Sequence, residues 1–384
     1  MNALTLGLLL ASIAVVVAAL SLRYRLGHTA DRGDLEAALD AEVKKFTDRG
    51  LSYGLVLGVY KDGNSWVNGY GSTSREGGVR PDAHTVFELA SVSKLLTAAT
   101  LQLLCDEGVL GLDDTLGQLI GEHVVLSPAA RATTLRQLVT HTSGFPPLPK
   151  AFVKKMTDPH NPYSSLELSD LLAYLQTTEG KRKPGRFAYS NFGMGLLGHV
   201  LERVTGQPFE ALVADHLLRP LGMNHTAVAM TPGMQAALAQ GYAEDGTPNP
   251  LWVDRVLTAA GSFKSDASDM LKFIQANLAG TSPLALSLKK MHAQQPSGDT
   301  GMGWMQPTFL DRFVGNRSVV WHNGRVGGYA SYLAIDPVSR TGVVVLSNKS
   351  VDITMLGMMM MRQVRTQSWT RPPVLMSPTQ VVLE

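Results

Sequence analysis

Phe87-Glu88-Leu89-Ala90-Ser91-Val92-Ser93-Lys94-Leu95-Leu96 is the stretch from which the fold and chemistry of this 384-residue chain are read. Val92, Leu95, Leu96, Ala99 and Leu103 recur at helical spacing, and Gly108 closes the run. Ser91 therefore stands at the start of a buried helix, with Lys94 one turn later on the same face. A serine hydroxyl is a weak nucleophile and needs a base beside it. An ammonium one turn away lowers neighbouring pKa values, and a helix N-terminus favours developing negative charge. Taken alone, Ser-x-x-Lys also fits a capping serine and a solvated lysine. A second copy, Ser287-Leu288-Lys289-Lys290, lacks a buried helix start and reads as a surface helix.

Outward from this segment, strand signals lie at both ends of the chain and helices between them. Upstream, Arg32–Gly50 reads as an amphipathic helix with Leu35, Leu39, Val43 and Phe46 on one face and Gly50 as its cap. Two strand-like runs follow, Tyr53–Tyr60 and Ser65–Gly71, and Asp62-Gly63 between them is a hairpin signal. Residues 91–278 are mostly helical. Downstream, Ser331–Ile335 and Gly342–Leu346 read as strands joined through Asp336-Pro337, and Val351–Gln367 as a helix. Its methionines (Met355 and Met358 to Met361) are read as packing residues. The pattern predicts an α/β (α+β) fold. An antiparallel sheet is assembled from both ends (about 33–90 and 300–366) and flanked by helices, with an all-helical lobe (about 91–299) inserted. The folded body spans 33–366, and 368–384 is an irregular tail.

Two further segments carry chemistry. Tyr189-Ser190-Asn191 sits on a loop entering the apolar helical run Phe192–Val204. A phenol titrates near pH ~10. Beside Lys94 its pKa is expected to fall, so that a phenolate takes the Ser91 proton. Asn191 offers an amide to a substrate amide or to Lys94. His322-Asn323-Gly324 lies in a strand-like stretch, where Gly324 lets a substrate backbone approach closely. His322 either orients the Tyr189–Lys94 network or binds a carboxylate.

In this order, Ser91-x-x-Lys94, Tyr189-x-Asn191 and His322-x-Gly324 resemble the three motifs of the penicillin-recognising serine hydrolases. The likeness is strongest to the class C β-lactamase and D-Ala-D-Ala carboxypeptidase branch. Leu138-Val139-Thr140-His141-Thr142-Ser143-Gly144, Ala259-Ala260-Gly261-Ser262-Phe263-Lys264-Ser265 and Gly303-Trp304 resemble supporting family segments, and the likeness covers roughly 33–365. It implies acyl transfer through a covalent serine ester. Ser91 would be the nucleophile, with Lys94 and Tyr189 sharing the base and acid work. The backbone N–H groups of Ser91 and Arg325 would form the oxyanion hole, and Asn191 would hold the substrate amide. The sequence departs from class C lactamases at the third motif, where His322 replaces a lysine and Asn323 a hydroxyl residue. Ala90 stands where glycine is common, which reads as a minor change. The expected activity is hydrolysis of D-amino-acid peptides or related amides. The alternatives are a β-lactamase or carboxylic esterase of the same family, and an inert binding homologue. Trp304, Arg325 and the segment 146–162 are expected to line the cleft.

Composition excludes other classes. Lys+Arg 34 against Asp+Glu 32 leaves a net charge of +2, without the basic excess of a nucleic-acid binder. One cysteine, Cys105, rules out an intramolecular disulfide and Cys-based metal sites. Gly193-Met194-Gly195-Leu196-Leu197-Gly198 matches the dinucleotide pattern but has no strand before it, so its glycines are read as helix-packing positions. No His-Glu-x-x-His occurs. No cofactor or metal is expected, and the partners are a small-molecule or peptide substrate and, through Ala3–Leu22, a membrane. That uncharged segment is long enough to span a bilayer as a helix. Residues 1–25 are read as an anchor or signal. Arg23 and Arg25 after the span point by the positive-inside rule to a cytoplasmic body. The expected chemistry outranks this and places a monomeric catalytic body outside the cytoplasm.

Overall fold

The computed structural model describes residues 34–178, 183–295 and 299–368. The apolar segment 3–22 and most of the tail lie outside them. Among the described residues no helix is long and apolar enough to cross a membrane.

The sheet begins with β1 (Gly54–Lys61) and β2 (Asn64–Gly71). Asp62 and Gly63 between them have φ of 54° and 80°, the twist that a two-residue hairpin requires. From the other end of the chain come β5 (Val320–Arg325), β6 (Ala330–Asp336) and β7 (Thr341–Ser347). The order is β2-β1-β7-β6-β5, with every pairing antiparallel. The two ends of the chain meet in the centre, where Leu57 of β1 faces Val345 of β7.

Each central strand is buried on both faces, so alternation sorts its side chains between two cores. Leu55, Leu57, Val59, Val343 and Val345 face α1 (Leu35–Asp48) and α6 (Thr354–Thr366). Those helices contribute Leu35, Leu39, Val43, Met358, Met360, Met361 and Val364. The methionines thus pack as expected, apart from Met355, which is exposed. Val56, Tyr60, Leu333, Ile335, Val344 and Leu346 face the inserted helices. These include α2 (Ser93–Asp106), α3 (Asn191–Thr205), α4 (Ala267–Leu278) and α5 (Pro283–Lys290).

A Cβ placed on Gly195 or Gly198 of α3 would come within 2.6 Å of Leu257 or Ala259. These glycines are close-packing positions. Trp304 does not line the cleft as expected. It is fully buried and stacked on Phe273 at 6.4 Å between ring centroids, because the turn at Gly303 directs it into the core. A two-stranded ribbon, β3 (Phe87–Glu88) with β4 (Lys264–Ser265), joins the lobes and leads directly into Ser91.

Candidate active site

Ser91 is presented by a short turn rather than by the helix itself. β3 continues through Leu89, whose N–H donates to Phe263 O (2.9 Å). The chain then turns sharply at Ala90, with φ of +47°, and forms one 3₁₀ turn, Ala90–Val92, before α2. Ala90 is therefore not a neutral replacement for glycine. It holds a left-handed conformation that costs an L-residue free energy, and the alignment of the next residue depends on it. The Ser331 hydroxyl donates to Leu89 O (2.6 Å) and clamps β6 to the turn.

Lys94 is fully buried. Its Nζ donates to Ala260 O (2.6 Å) and lies 3.0 Å from Ser91 Oγ. Burial lowers its pKa from 10.5 to about 7, against the pull of the Asp254 carboxylate. In its neutral form the amine can give a hydrogen to Ala260 O and turn its lone pair to the Ser91 hydroxyl.

Tyr189 behaves oppositely to the expectation. Burial raises its pKa, with the hydrogen bond to Ser91 only partly offsetting. The ammonium does not rescue a phenolate because Nζ lies over the ring face, 4.9 Å from its centroid, and not at the hydroxyl. Tyr189 is thus protonated at neutral pH, and the base that this geometry offers is Lys94.

His322 is buried on β5. Its Nδ1 donates to Asn323 O (2.6 Å), which leaves Nε2 as a bare acceptor without a partner among the described residues. Burial and the nearby Lys94 lower its pKa to about 3. A neutral, enclosed imidazole 6.1 Å from the Tyr189 ring fits the orienting role, not electrostatic capture of a carboxylate. Gly324 also serves a different end from the expected one. A Cβ there would meet Leu89 O at 2.5 Å and Ser91 N at 2.8 Å, so its bareness lets β5 abut the Ser91 turn.

The pairing also fixes Arg325. Trp321 exchanges backbone hydrogen bonds with Met305, away from β6. Val326 and Tyr329 exchange theirs across the β5–β6 pair. By alternation the Arg325 N–H faces the outer edge, on the side of the Ser91 turn. The Ser91 N–H after the Ala90 turn and the outward Arg325 N–H of β5 are the two backbone donors that this arrangement offers to an oxyanion. The Arg325 guanidinium is exposed, 3.6 Å from Glu244. Asn191 lies in the same cleft, its amide oxygen buried without a partner among the described residues. The cleft there is lined by Ser91, Asn191, Tyr163, Trp252, Arg325 and Val326, among others.

A family model described as Beta-lactamase matches residues 39–358. The chain belongs to the beta-lactamase family. A "Beta-lactamase" of Pseudomonas fluorescens is 26% identical over 355 residues, covering 83% of this chain and 94% of that protein. "Protein flp" of Staphylococcus aureus (strain MW2) is 27% identical over 326 residues, covering 82% of this chain but only 63% of that longer protein. Among solved structures, a mutant class C beta-lactamase superposes with a TM-score of 0.76 at 22% identity, covering 87% of this chain and 97% of that one. A "D-alanine Carboxypeptidase AmpC" from Burkholderia cenocepacia gives 0.72 at 25% identity, covering 86% and 98%. This member of the beta-lactamase family is a serine hydrolase of the β-lactamase/DD-peptidase superfamily, with the antiparallel sheet and flanking helices of that fold.

Several site residues of this beta-lactamase family member lay beyond the motif reading. His141, read in the sequence only as part of a supporting segment, builds the Tyr189 loop. Ala188 N–H donates to His141 O (2.8 Å) and Ser190 N–H to His141 Nδ1 (3.2 Å). The His141 ring lies 4.5 Å from that of Tyr189. The positive φ of His141, 57°, is a strain that no sequence periodicity announces. Asp254, whose side chain accepts from Val256 and Leu257 N–H, supplies the negative charge felt by Lys94. Glu88 borders the cleft with its carboxyl raised to about 7 by burial, despite Lys264 at 3.9 Å. Tyr163, in the same cleft as Asn191, is pushed up to about 12 by burial. None of these stands in a motif with its partners. They converge only through the fold.

Proposed function

We propose that this chain hydrolyses D-amino-acid peptides or related amides through an acyl-enzyme on Ser91. The observation that carries the reading is the 3.0 Å contact between Ser91 Oγ and the fully buried Lys94 Nζ. Neutral Lys94 takes the hydroxyl proton as Oγ attacks the substrate carbonyl. The oxyanion forms against the N–H groups of Ser91 and Arg325. Protonated Tyr189 passes a proton to the leaving nitrogen and takes one back from the Lys94 ammonium, which returns Lys94 to its neutral form. A water then attacks the ester with Lys94 again as base. Asn191, with its unpaired amide oxygen, receives the N–H of the substrate amide. His322, neutral and acceptor at Nε2, orients the pair from behind. The Arg325 guanidinium at the cleft mouth is the group available to a substrate carboxylate. Such peptides belong to the cell wall, so the same proposal places the catalytic body outside the cytoplasm.

One observation favours a second reading, an esterase. The third motif holds no ammonium, and an ester needs no carboxylate anchor.

Intact mass of the purified protein mixed with a penicillin, followed from seconds to an hour beside Ser91→Ala, tests the proposal. A lasting adduct confined to the protein with Ser91 supports slow deacylation and the peptidase reading. Drug consumption without adduct would instead make it a working β-lactamase. Absence of both, followed by turnover of short-chain esters and none of D-amino-acid amides, would replace the peptidase by the esterase.

A further inference from the structure

Away from the cleft, three side chains from separate segments converge on one point. Asp266 Oδ2 lies 2.7 Å from His225 Nδ1 and 3.3 Å from His84 Nδ1. Each residue offers one ligand atom, a ring nitrogen or a carboxylate oxygen, and these three lie within 4.8 Å of one another. The carboxylate is fully buried, whereas the histidine side chains are 56% and 49% exposed, so the point is open to solvent on one side only. The imidazole rings meet edge to face at 5.6 Å.

Each of the three groups is held in place by other bonds. Asp266 uses Oδ1 to cap α4, accepting from Asp269 N–H (2.8 Å), which leaves Oδ2 aimed at the histidines. The His225 N–H donates to Asp269 Oδ2 (2.7 Å). His84 N–H donates to Asp82 Oδ1 (2.9 Å), and Ser268 N–H to Ala83 O (3.0 Å) ties that loop to α4. The alternative is a hydrogen-bonded trio, and the 2.7 Å contact of His225 fits it. It leaves two like charges near one another on buried carboxylates, Asp266 with the two histidines and Asp269 with Lys272 at 2.8 Å. A cation at Oδ2 relieves that repulsion.

We propose that His84 Nδ1, His225 Nδ1 and Asp266 Oδ2 form a structural site for a divalent transition-metal ion of the zinc class, its remaining coordination position filled by water. A tetrahedral ion with bonds of about 2.0–2.2 Å spaces neighbouring ligand atoms roughly 3.3–3.5 Å apart. The His84 contact already has that spacing, and the His225 contact opens to it when the metal displaces the bridging proton. Two imidazoles and one carboxylate suit zinc, nickel or cobalt and not calcium or magnesium. The site pins the outer end of the β3–β4 ribbon, whose inner end carries the Ser91 turn. It escapes sequence reading because its ligands are separated by 41 and 182 residues when counted from Asp266.

Metal-stripped full-length protein titrated with zinc chloride, then with cobalt and magnesium chlorides, tests the site. One zinc per chain is expected, with a saturable rise in the unfolding midpoint and no such rise with magnesium. Cobalt should give the visible absorption of a four-coordinate site. His84→Ala and His225→Ala should each weaken zinc by more than the roughly 10- to 100-fold that loss of a residue orienting a ligand costs. Asp266→Asn keeps a competent helix cap and should lose the metal while staying folded. Absence of a midpoint rise, or equal zinc binding in wild type and all three variants, overturns the proposal.

Discussion

The chain contains the same motif twice, and the two copies touch opposite ends of one helix. At the N-terminus of α2, Lys94 is fully buried and its nitrogen contacts Ser91 Oγ. At the C-terminus, Asp106 receives both members of the second copy, Ser287 Oγ at 2.5 Å and Lys290 Nζ at 2.7 Å. There the lysine is 57% exposed and pairs with the carboxylate. A lysine whose charge is solvated and paired has no lone pair to offer. A lysine stripped of water, with only a carbonyl and a hydroxyl beside it, does. The spacing Ser-x-x-Lys is common to both copies. Desolvation separates them.

The largest expected effect breaks the comparison at the serines. Ser91→Ala should reduce acylation by several orders of magnitude, as removal of a covalent nucleophile does, with unchanged circular dichroism. Ser287→Ala should leave acylation intact and lower stability by about 1–3 kcal/mol, the worth of a hydrogen bond to a charged group. Covalent labelling by mass spectrometry and urea unfolding check both. Loss of labelling in Ser287→Ala would reverse the assignment.

The lysines separate next. Lys94→Met should abolish acylation yet raise the unfolding midpoint by a few degrees, because the buried amine costs stability. The unfolded chain holds this proton up to about pH 10, while the folded protein releases it near pH 7. Between those values the unfolded state binds more protons, so this group makes folding more favourable as pH rises and less so as it falls. Lys290→Met, at a mostly exposed pair, should change stability by less than about 1 kcal/mol and leave activity alone. In the wild type, acylation should climb with pH through about 7 as Lys94 loses its proton. Glu88 is raised to about 7 as well, so Glu88→Gln is the control, and it should retain that limb. A limb lost in Glu88→Gln would mean that the carboxyl gates the reaction.

Tyr189→Phe sharpens the same contrast at smaller amplitude. Loss of a proton-transfer group should slow acylation by roughly 10²- to 10⁴-fold without moving the limb near pH 7. A limb that moved would restore the phenolate that burial argues against.

The sheet was legible because its signals are local. Asp62-Gly63 forces a hairpin, and the apolar runs at both ends are long enough to be strands. The motif residues were legible for the same reason, each lying within four positions of its partner. What was missed depends on depth and distance. The two-residue strands β3 and β4 are too short to carry periodicity. The expected placement of Tyr189 beside a cation suggested a lowered pKa, but the sign is set by how much water the fold removes and by which side of the ring Nζ approaches. His141, Asp254 and Glu88 reach the cleft from elements whose packing no spacing encodes.

The smallest effect lies at Ala90, one residue before the nucleophile. Its φ of +47° costs an L-residue about 1–2 kcal/mol, and glycine would avoid that while adding roughly 0.5–1 kcal/mol of unfolded-state entropy. The balance favours Ala90→Gly by somewhat less than about 1 kcal/mol, readable in urea unfolding. The methyl also stiffens the turn that aims Ser91 Oγ at Lys94. Glycine should therefore gain stability and lose some acylation rate, the opposite pairing of effects to any substitution in the Ser287 copy, where no turn of this kind is strained. If Ala90→Gly lowered stability, the left-handed turn would not be under strain.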